Sequence, residues 1–171
     1  AYYRGYTEKT VLRIFCETLQ SKTKELQVAI LPHPRENAKE LDDFWQTVRG
    51  NLEGGILKIE KGRNALFLAD GIAGMASILL YEAWLLGKPV ISLQPEIRLE
   101  ALKMFQKREG VVFVDSSPTF KNKMNDWLRD IHRQRHYEPR QEIYLHKNAA
   151  NEIYKLILNC MNTPQSNERK M

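Results

Sequence analysis

Only two cysteines, Cys16 and Cys160, occur in 171 residues. They lie far apart inside apolar helical patterns. That excludes a disulfide framework and marks both as reduced core thiols, as expected of a cytoplasmic protein. A chain of this length buries a full core without such staples. Glycine (9) and proline (7) are too scarce for a linker or a collagen-like chain. No apolar run reaches the ~20 residues that a membrane helix needs. The longest, Gly71–Gly87, carries Glu82 and turn signals at Gly71 and Gly74, so it reads as a buried strand followed by a buried helix. Residues 1–12 hold Arg4, Glu8 and Lys9 among tyrosines, which is not a secretory signal. The start at Ala1 rather than Met gives the expectation of a domain taken from a longer protein.

The common nucleotide and hydrolase fingerprints are absent: there is no G-x-G-x-x-G, no Walker loop and no G-x-S-x-G elbow. Among four histidines, His132 and His136 stand four apart but lack a third ligand at metal spacing, so neither a metal nor a cofactor is expected. Positive charge is in modest excess, 26 Lys and Arg against 21 Asp and Glu, a net +5. That permits an anionic partner without indicating nucleic acid. The basic stretch Arg129–Arg140 reads as a solvated helix end or, in an interaction domain, as a contact for an acidic partner.

What is present is an alternation of helices and strands. Helical spacing predicts helices over Thr10–Ser21, Ala38–Val48, Ile78–Leu86, Leu99–Lys107, Pro118–Arg133 and Asn148–Asn162, with Asn64–Ala69 a short helix or turn. Gly87 closes the third of these as a left-handed residue just past its end. Continuous apolar runs predict strands at Leu26–Leu31, Gly71–Gly74, Val90–Leu93 and Val111–Val114, and a weaker one at Gly54–Ile59. Continuous rather than alternating runs mean strands covered on both faces. The expected fold is α/β, a three-layer, doubly wound, mostly parallel sheet of five or six strands. One domain over residues 1–162 and a frayed polar tail over 163–171 complete the organisation.

Such sheets bind ligands at the C-terminal ends of their strands. Three features fall there. His33 and Arg35 follow the first strand directly, held extended by Pro32 and Pro34. They suit a phosphate, or simply form a rigid strand exit. Gly74, Met75, Ala76 and Ser77 lead into a helix N-terminus, whose free N–H groups and dipole favour an anion. Ser77 equally suits an ordinary N-cap. Glu82 is the sole formal charge between Asp70 and Lys88, placed either to accept from ribose hydroxyls or to make a structural hydrogen bond.

The run Ala69-Asp70-Gly71-Ile72-Ala73-Gly74-Met75-Ala76-Ser77, then Leu80-Tyr81-Glu82-Ala83, then Leu86-Gly87-Lys88-Pro89-Val90, resembles the donor-binding half of GT-B glycosyltransferases. It is similar to a stretch shared with UDP-N-acetylglucosamine 2-epimerases. His33-Pro34 resembles the His-Pro motif of sialyltransferase-like and glycerophosphotransferase-like GT-B enzymes. The resemblance covers about residues 10–135. It implies a Rossmann-like half of GT-B that binds a nucleotide sugar of UDP or CMP type and serves surface polysaccharide or glycolipid synthesis. His33 and Ser77 would meet the phosphates, Glu82 the ribose, and Gly74–Ala76 would act as backbone donors. The chain departs from the epimerases, which carry Asp-Ser-Gly-Gly where Gly-Met-Ala-Ser stands here. An acceptor domain would lie N-terminal to this one in the full protein and hold the catalytic base, so catalytic residues are not assigned. Peripheral membrane association, a nucleotide-sugar 2-epimerase-like domain and a non-catalytic interaction domain of the same fold stay open.

Overall fold

The computed structural model describes residues 4–20, 26–57, 59–133, 138–145, 148, 149, 151, 152 and 155. His136, Cys160, most of the helix expected over Asn148–Asn162 and the tail 163–171 lie outside them.

Helix α1 (Glu8–Gln20) stacks Val11, Phe15 and Leu19 at four-residue spacing, with Cys16 beside them, all buried. The Thr7 hydroxyl caps its start by accepting the Thr10 N–H at 3.2 Å. Strand β1 (Gln27–Ile30) leads to α2 (Ala38–Val48), capped by Asn37, whose side chain accepts from the Lys39 and Glu40 amides. Strand β2 (Glu53–Ile56) pairs in parallel with β1, Gln27 opposite Glu53 and Ile30 opposite Ile56. Helix α3 (Ile59–Leu68) follows, then β3 (Ile72–Gly74), α4 (Ile78–Leu85), β4 (Val90–Leu93), β5 (Val111–Val114), α5 (Phe120–Arg133) and the short α6 (Glu142–Leu145). Strands β3, β4 and β5 are parallel neighbours in that order.

Side chains on β4 and β5 alternate between two cores. Ile91, Leu93, Val112 and Val114 face α1, α5 and Trp45 of α2. Val90, Val111 and Phe113 face Leu66 of α3, the Leu80, Ala83 and Trp84 face of α4, and Phe105. Helices therefore cover both faces, and the continuous apolar runs follow from that cover. This is a three-layer α/β architecture with parallel, open sheets: a Rossmann-like fold.

The sequence led us to expect one sheet of five or six strands. The described strands instead form a two-stranded sheet and a three-stranded sheet. Among the described strands no hydrogen-bonded ladder joins the two sheets, but they share one core, against which Val28, Ile30, Ile56 and Ala73 all pack. Local boundaries differ too. The strand expected over Gly54–Ile59 ends at Ile56, and Ile59 opens α3, which runs well ahead of the predicted Asn64. The helix expected over Leu99–Lys107 is a 3-10 segment, Glu100–Phe105, kinked at Lys103. Pro118 belongs to a 3-10 turn before α5.

Gly71 and Gly87 are both positions that admit no side chain. A Cβ on Gly71 would stand 2.3 Å from Ile131 Cδ1 and 3.0 Å from the Trp127 ring, so α5 lies against the start of β3 only because that residue has no side chain. Gly87 sits at φ 77°. Its N–H donates to Trp84 O, and the Lys88 N–H donates to Ala83 O, which closes α4 in a Schellman motif as the sequence led us to expect.

Cys16 is fully buried, and burial pushes its thiol up to about 11, with Glu17 adding to the shift. The folded state thus holds the proton after the unfolded chain, near 9.0, has released it. The contribution to stability is complete below pH 9 and is lost as pH rises through about 11. Denaturant melts across that window are expected to show a decline in wild type that Cys16→Val flattens. Equal slopes in the two proteins would place the decline elsewhere.

Candidate functional site

The sequence-predicted residues sit on two strand exits. At the end of β1, Pro32 is buried while His33, Pro34 and Arg35 are exposed. The turn is closed locally. The His33 N–H donates to Glu36 Oε2 at 2.6 Å, the Glu36 N–H returns to His33 O at 2.8 Å, and the Arg35 N–H donates to His33 Nδ1 at 3.2 Å. With Nδ1 an acceptor, the neutral imidazole carries its proton on Nε2.

At the end of β3, Gly74, Met75 and Ala76 are half-buried, and Ser77 and Ile78 are exposed. Ser77 is the N-cap of α4, in extended conformation, and its hydroxyl accepts the Leu80 N–H at 3.2 Å. A Cβ on Gly74 would meet nothing nearer than Leu80 Cδ1 at 3.6 Å, so close packing does not explain that glycine. Glu82 is half-buried in the second turn of α4. It stands four residues after Ile78, on the outward side of the helix and away from the buried Leu80, Ala83 and Trp84. Ser77 and Gly74 are near each other. Among the described residues, no hydrogen bond or ion pair joins the His33–Arg35 turn to the Gly74–Glu82 segment.

Sequence reasoning missed the polar cluster beneath this turn. Ser92 and Gln94, at the end of β4, are both fully buried. The Ser92 hydroxyl donates to the Met75 carbonyl at 2.7 Å. The Gln94 side-chain amide lies within donating distance of Met75 O (3.2 Å), Ser92 Oγ (2.9 Å) and Leu102 O (2.9 Å). Tyr6 closes the cluster by donating to Gln94 Oε1 at 3.3 Å, and its burial raises its pKa, which keeps that proton in place. The available signal was Gln94-Pro95 directly after an apolar strand. A polar residue continuing a buried run must find partners.

Two further features bracket the sheet. In the loop after β4, Glu96 is held at φ 61°, a left-handed conformation unusual for a residue with a Cβ, and its carboxylate accepts the Ser117 N–H at 3.1 Å. Ahead of β4, the buried Lys88 donates to Ala69 O (2.6 Å) and Phe67 O (3.2 Å), so it caps the C-terminal end of α3. Burial lowers its pKa, with Asp70 opposing. A concavity of about 350 Å³ lined by Lys88, Arg133, Arg140 and Asp130 opens at that end too. It lies before β4 and β5, not at their C-terminal ends, and Lys88 and Arg140 already serve backbone carbonyls there.

Among the described residues, no three His, Cys, Asp or Glu side chains gather to hold a metal ion, and no helix is long and apolar enough to cross a membrane. The fold defines the class: a Rossmann-like α/β domain with parallel strands, of the general kind that binds nucleotides. Comparison of the chain with protein families, with curated proteins and with solved structures finds no match in any of the three.

Proposed function

We propose that the chain binds a nucleotide sugar of UDP or CMP type as the donor half of a metal-independent GT-B-like glycosyltransferase. One observation carries the reading. Ser77 caps a helix that starts at a strand's C-terminal end, and among the described residues no acceptor takes the N–H groups of Ala76, Ser77, Ile78 and Leu79. Unpaired amides at a helix start, backed by its dipole, are donors in search of an anion. The Ser77 hydroxyl accepts from Leu80 and keeps its own proton to give. A diphosphate leaving group gathers negative charge as the sugar departs, and these donors, with His33 Nε2 and Arg35, would stabilise it. Glu82 would take the ribose hydroxyls. The protein would work in the cytoplasm on its nucleotide sugars, in surface polysaccharide or glycolipid synthesis, beside an N-terminal acceptor domain that carries the catalytic base.

The test is a thermal-shift panel of nucleotides and nucleotide sugars, followed by calorimetry on UDP. Stabilisation by UDP or CMP compounds supports the reading. Silence across the panel overturns it in favour of an interaction domain. His33→Ala is expected to weaken UDP binding tenfold to a hundredfold, the loss of one charge-assisted bond of about 1.5–3 kcal/mol. The melting temperature should hold, because the His33 turn is exposed. A lower melting temperature with unchanged affinity would confine His33 to its turn.

A further inference from the structure

The buried polar cluster under the β3–α4 turn has no counterpart in the donor-site reading, although it touches the same backbone. Burying a serine and a glutamine together costs stability unless each polar atom is satisfied. Here the Ser92 hydroxyl is satisfied by the Met75 carbonyl at 2.7 Å, while Gln94 backs it, its amide 2.9 Å from Ser92 Oγ and Leu102 O and 3.2 Å from the same carbonyl. The Met75–Ala76 peptide is trans, as are all the peptide bonds of the described chain. In a trans peptide the carbonyl and the following N–H point in opposite directions. A Met75 carbonyl drawn in toward Ser92 and Gln94 therefore turns the Ala76 N–H away from them. The β3–β4 ladder ends at Gly74 opposite Ser92, and no acceptor takes the Ala76 N–H among the described residues.

We propose that Ser92 and Gln94 are positioning residues for an anion site: they clamp the Met75 carbonyl and so hold the Ala76 N–H outward as a fixed donor to a phosphate oxygen. The proposal rests on the donor-site reading above. The Ser92 donor on that carbonyl, itself accepting from Gln94, also polarises its peptide, which strengthens the N–H on the far side. The clamp is held from three directions. Gln94 ties to Leu102 ahead of the kink in the 3-10 segment, Tyr6 reaches it from the N-terminal segment, and Ser92 holds it within β4. A donor held this way meets the ligand without reordering, which is how a backbone amide gains affinity for a charged group. The ligand class is a phosphate or diphosphate. The clamp reads neither base nor sugar.

The experiment follows the Ala76 amide by 1H–15N correlation spectroscopy, with inorganic pyrophosphate and with UDP, in wild type, Ser92→Ala and Ser92→Ala/Gln94→Met. In wild type the Ala76 cross-peak is expected to move downfield with either probe. Ser92→Ala should shift that peak in the free protein and weaken UDP about threefold. The double variant, which frees the carbonyl while keeping the volume, should weaken UDP at least tenfold. A buried pair that merely stabilises the sheet would lower the melting temperature and leave the Ala76 response and the affinity alone. If the double variant does not fold, Ser92→Ala decides: wild-type affinity with an unmoved Ala76 peak overturns the clamp. A wild type that binds UDP without moving Ala76 also overturns it and leaves the donor reading standing. A wild type that binds neither probe overturns both.

Discussion

Ala76→Leu is expected to remove UDP binding while leaving the domain folded. Ala76 is half-buried at the turn between β3 and α4, one residue before the Ser77 cap. A leucine there stands over the amides of Ala76, Ser77 and Ile78, where the phosphate would lie. Losing two charge-assisted bonds of about 1.5–3 kcal/mol each lowers affinity roughly a hundredfold or more. The faces of α4 that carry the core, Leu80, Ala83 and Trp84, are untouched. The denaturant midpoint should therefore report a change of no more than about 1 kcal/mol. Calorimetry and denaturant titration on the same preparation separate the alternatives. Native affinity in a destabilised protein would mean that Ala76 only packs in a tight turn.

The second large effect concerns Trp84, and it is one of stability. The indole is almost fully buried on α4, and its Nε1 donates to Glu109 O at 2.9 Å. Arg108 and Arg140 stand near its ring, 4.8 and 4.7 Å from the centroid, and Tyr81 stacks on it at 5.6 Å. Arg140 also donates from Nε to the Trp84 carbonyl, and its own N–H donates to Leu85 O. One residue thus ties α4 to the entry of β5 and to the segment before α6. Trp84→Ala should cost about 3–5 kcal/mol, the usual range for an indole removed from a core. For a chain of this size that is roughly 6–20 °C in melting temperature. Trp84→Phe, which keeps a ring beside the guanidinium groups, should recover more than half. Equal losses in both variants would rule the arginine contacts out as a source of stability.

Much of the fold was legible because it rests on periodicity. Val11, Phe15 and Leu19 on α1, and Phe120, Met124, Trp127 and Leu128 on α5, recur at helical spacing and are buried as that spacing requires. Val90, Ile91 and Leu93 are buried on both faces of their strand, as a strand covered on both sides must be, and Ser92 is buried with them. The start of α3 was hidden because Ile56-Leu57 continues the apolar run of β2, while a glycine inside Ile59–Leu68 weakens the helical pattern. The division into two sheets was hidden for a different reason. Apolar runs mark where strands lie, but which edges exchange hydrogen bonds depends on tertiary register. At the candidate site, the small-residue turn and its serine cap were visible as local chemistry. The Ser92–Gln94 clamp was not, because no spacing rule states that two polar side chains on one strand will meet the carbonyl of another segment.

That division of the sheet bears on how a ligand would be gripped. His33 leaves the two-stranded sheet and Ser77 follows the three-stranded one. Where hydrogen-bonded ladders join neighbouring strands, sliding one past the other breaks bonds one by one. Among the described residues no ladder joins the two sheets; residues of both pack on one shared core, and packed apolar surfaces accommodate small shear displacements by rotamer adjustment. The two sheets are thus joined through the side chains of that core, on which Val28, Ile30 and Ala73 pack, rather than through backbone hydrogen bonds. Exchanging one of these for a larger or smaller aliphatic residue is therefore expected to shift one sheet against the other without breaking a backbone bond between them.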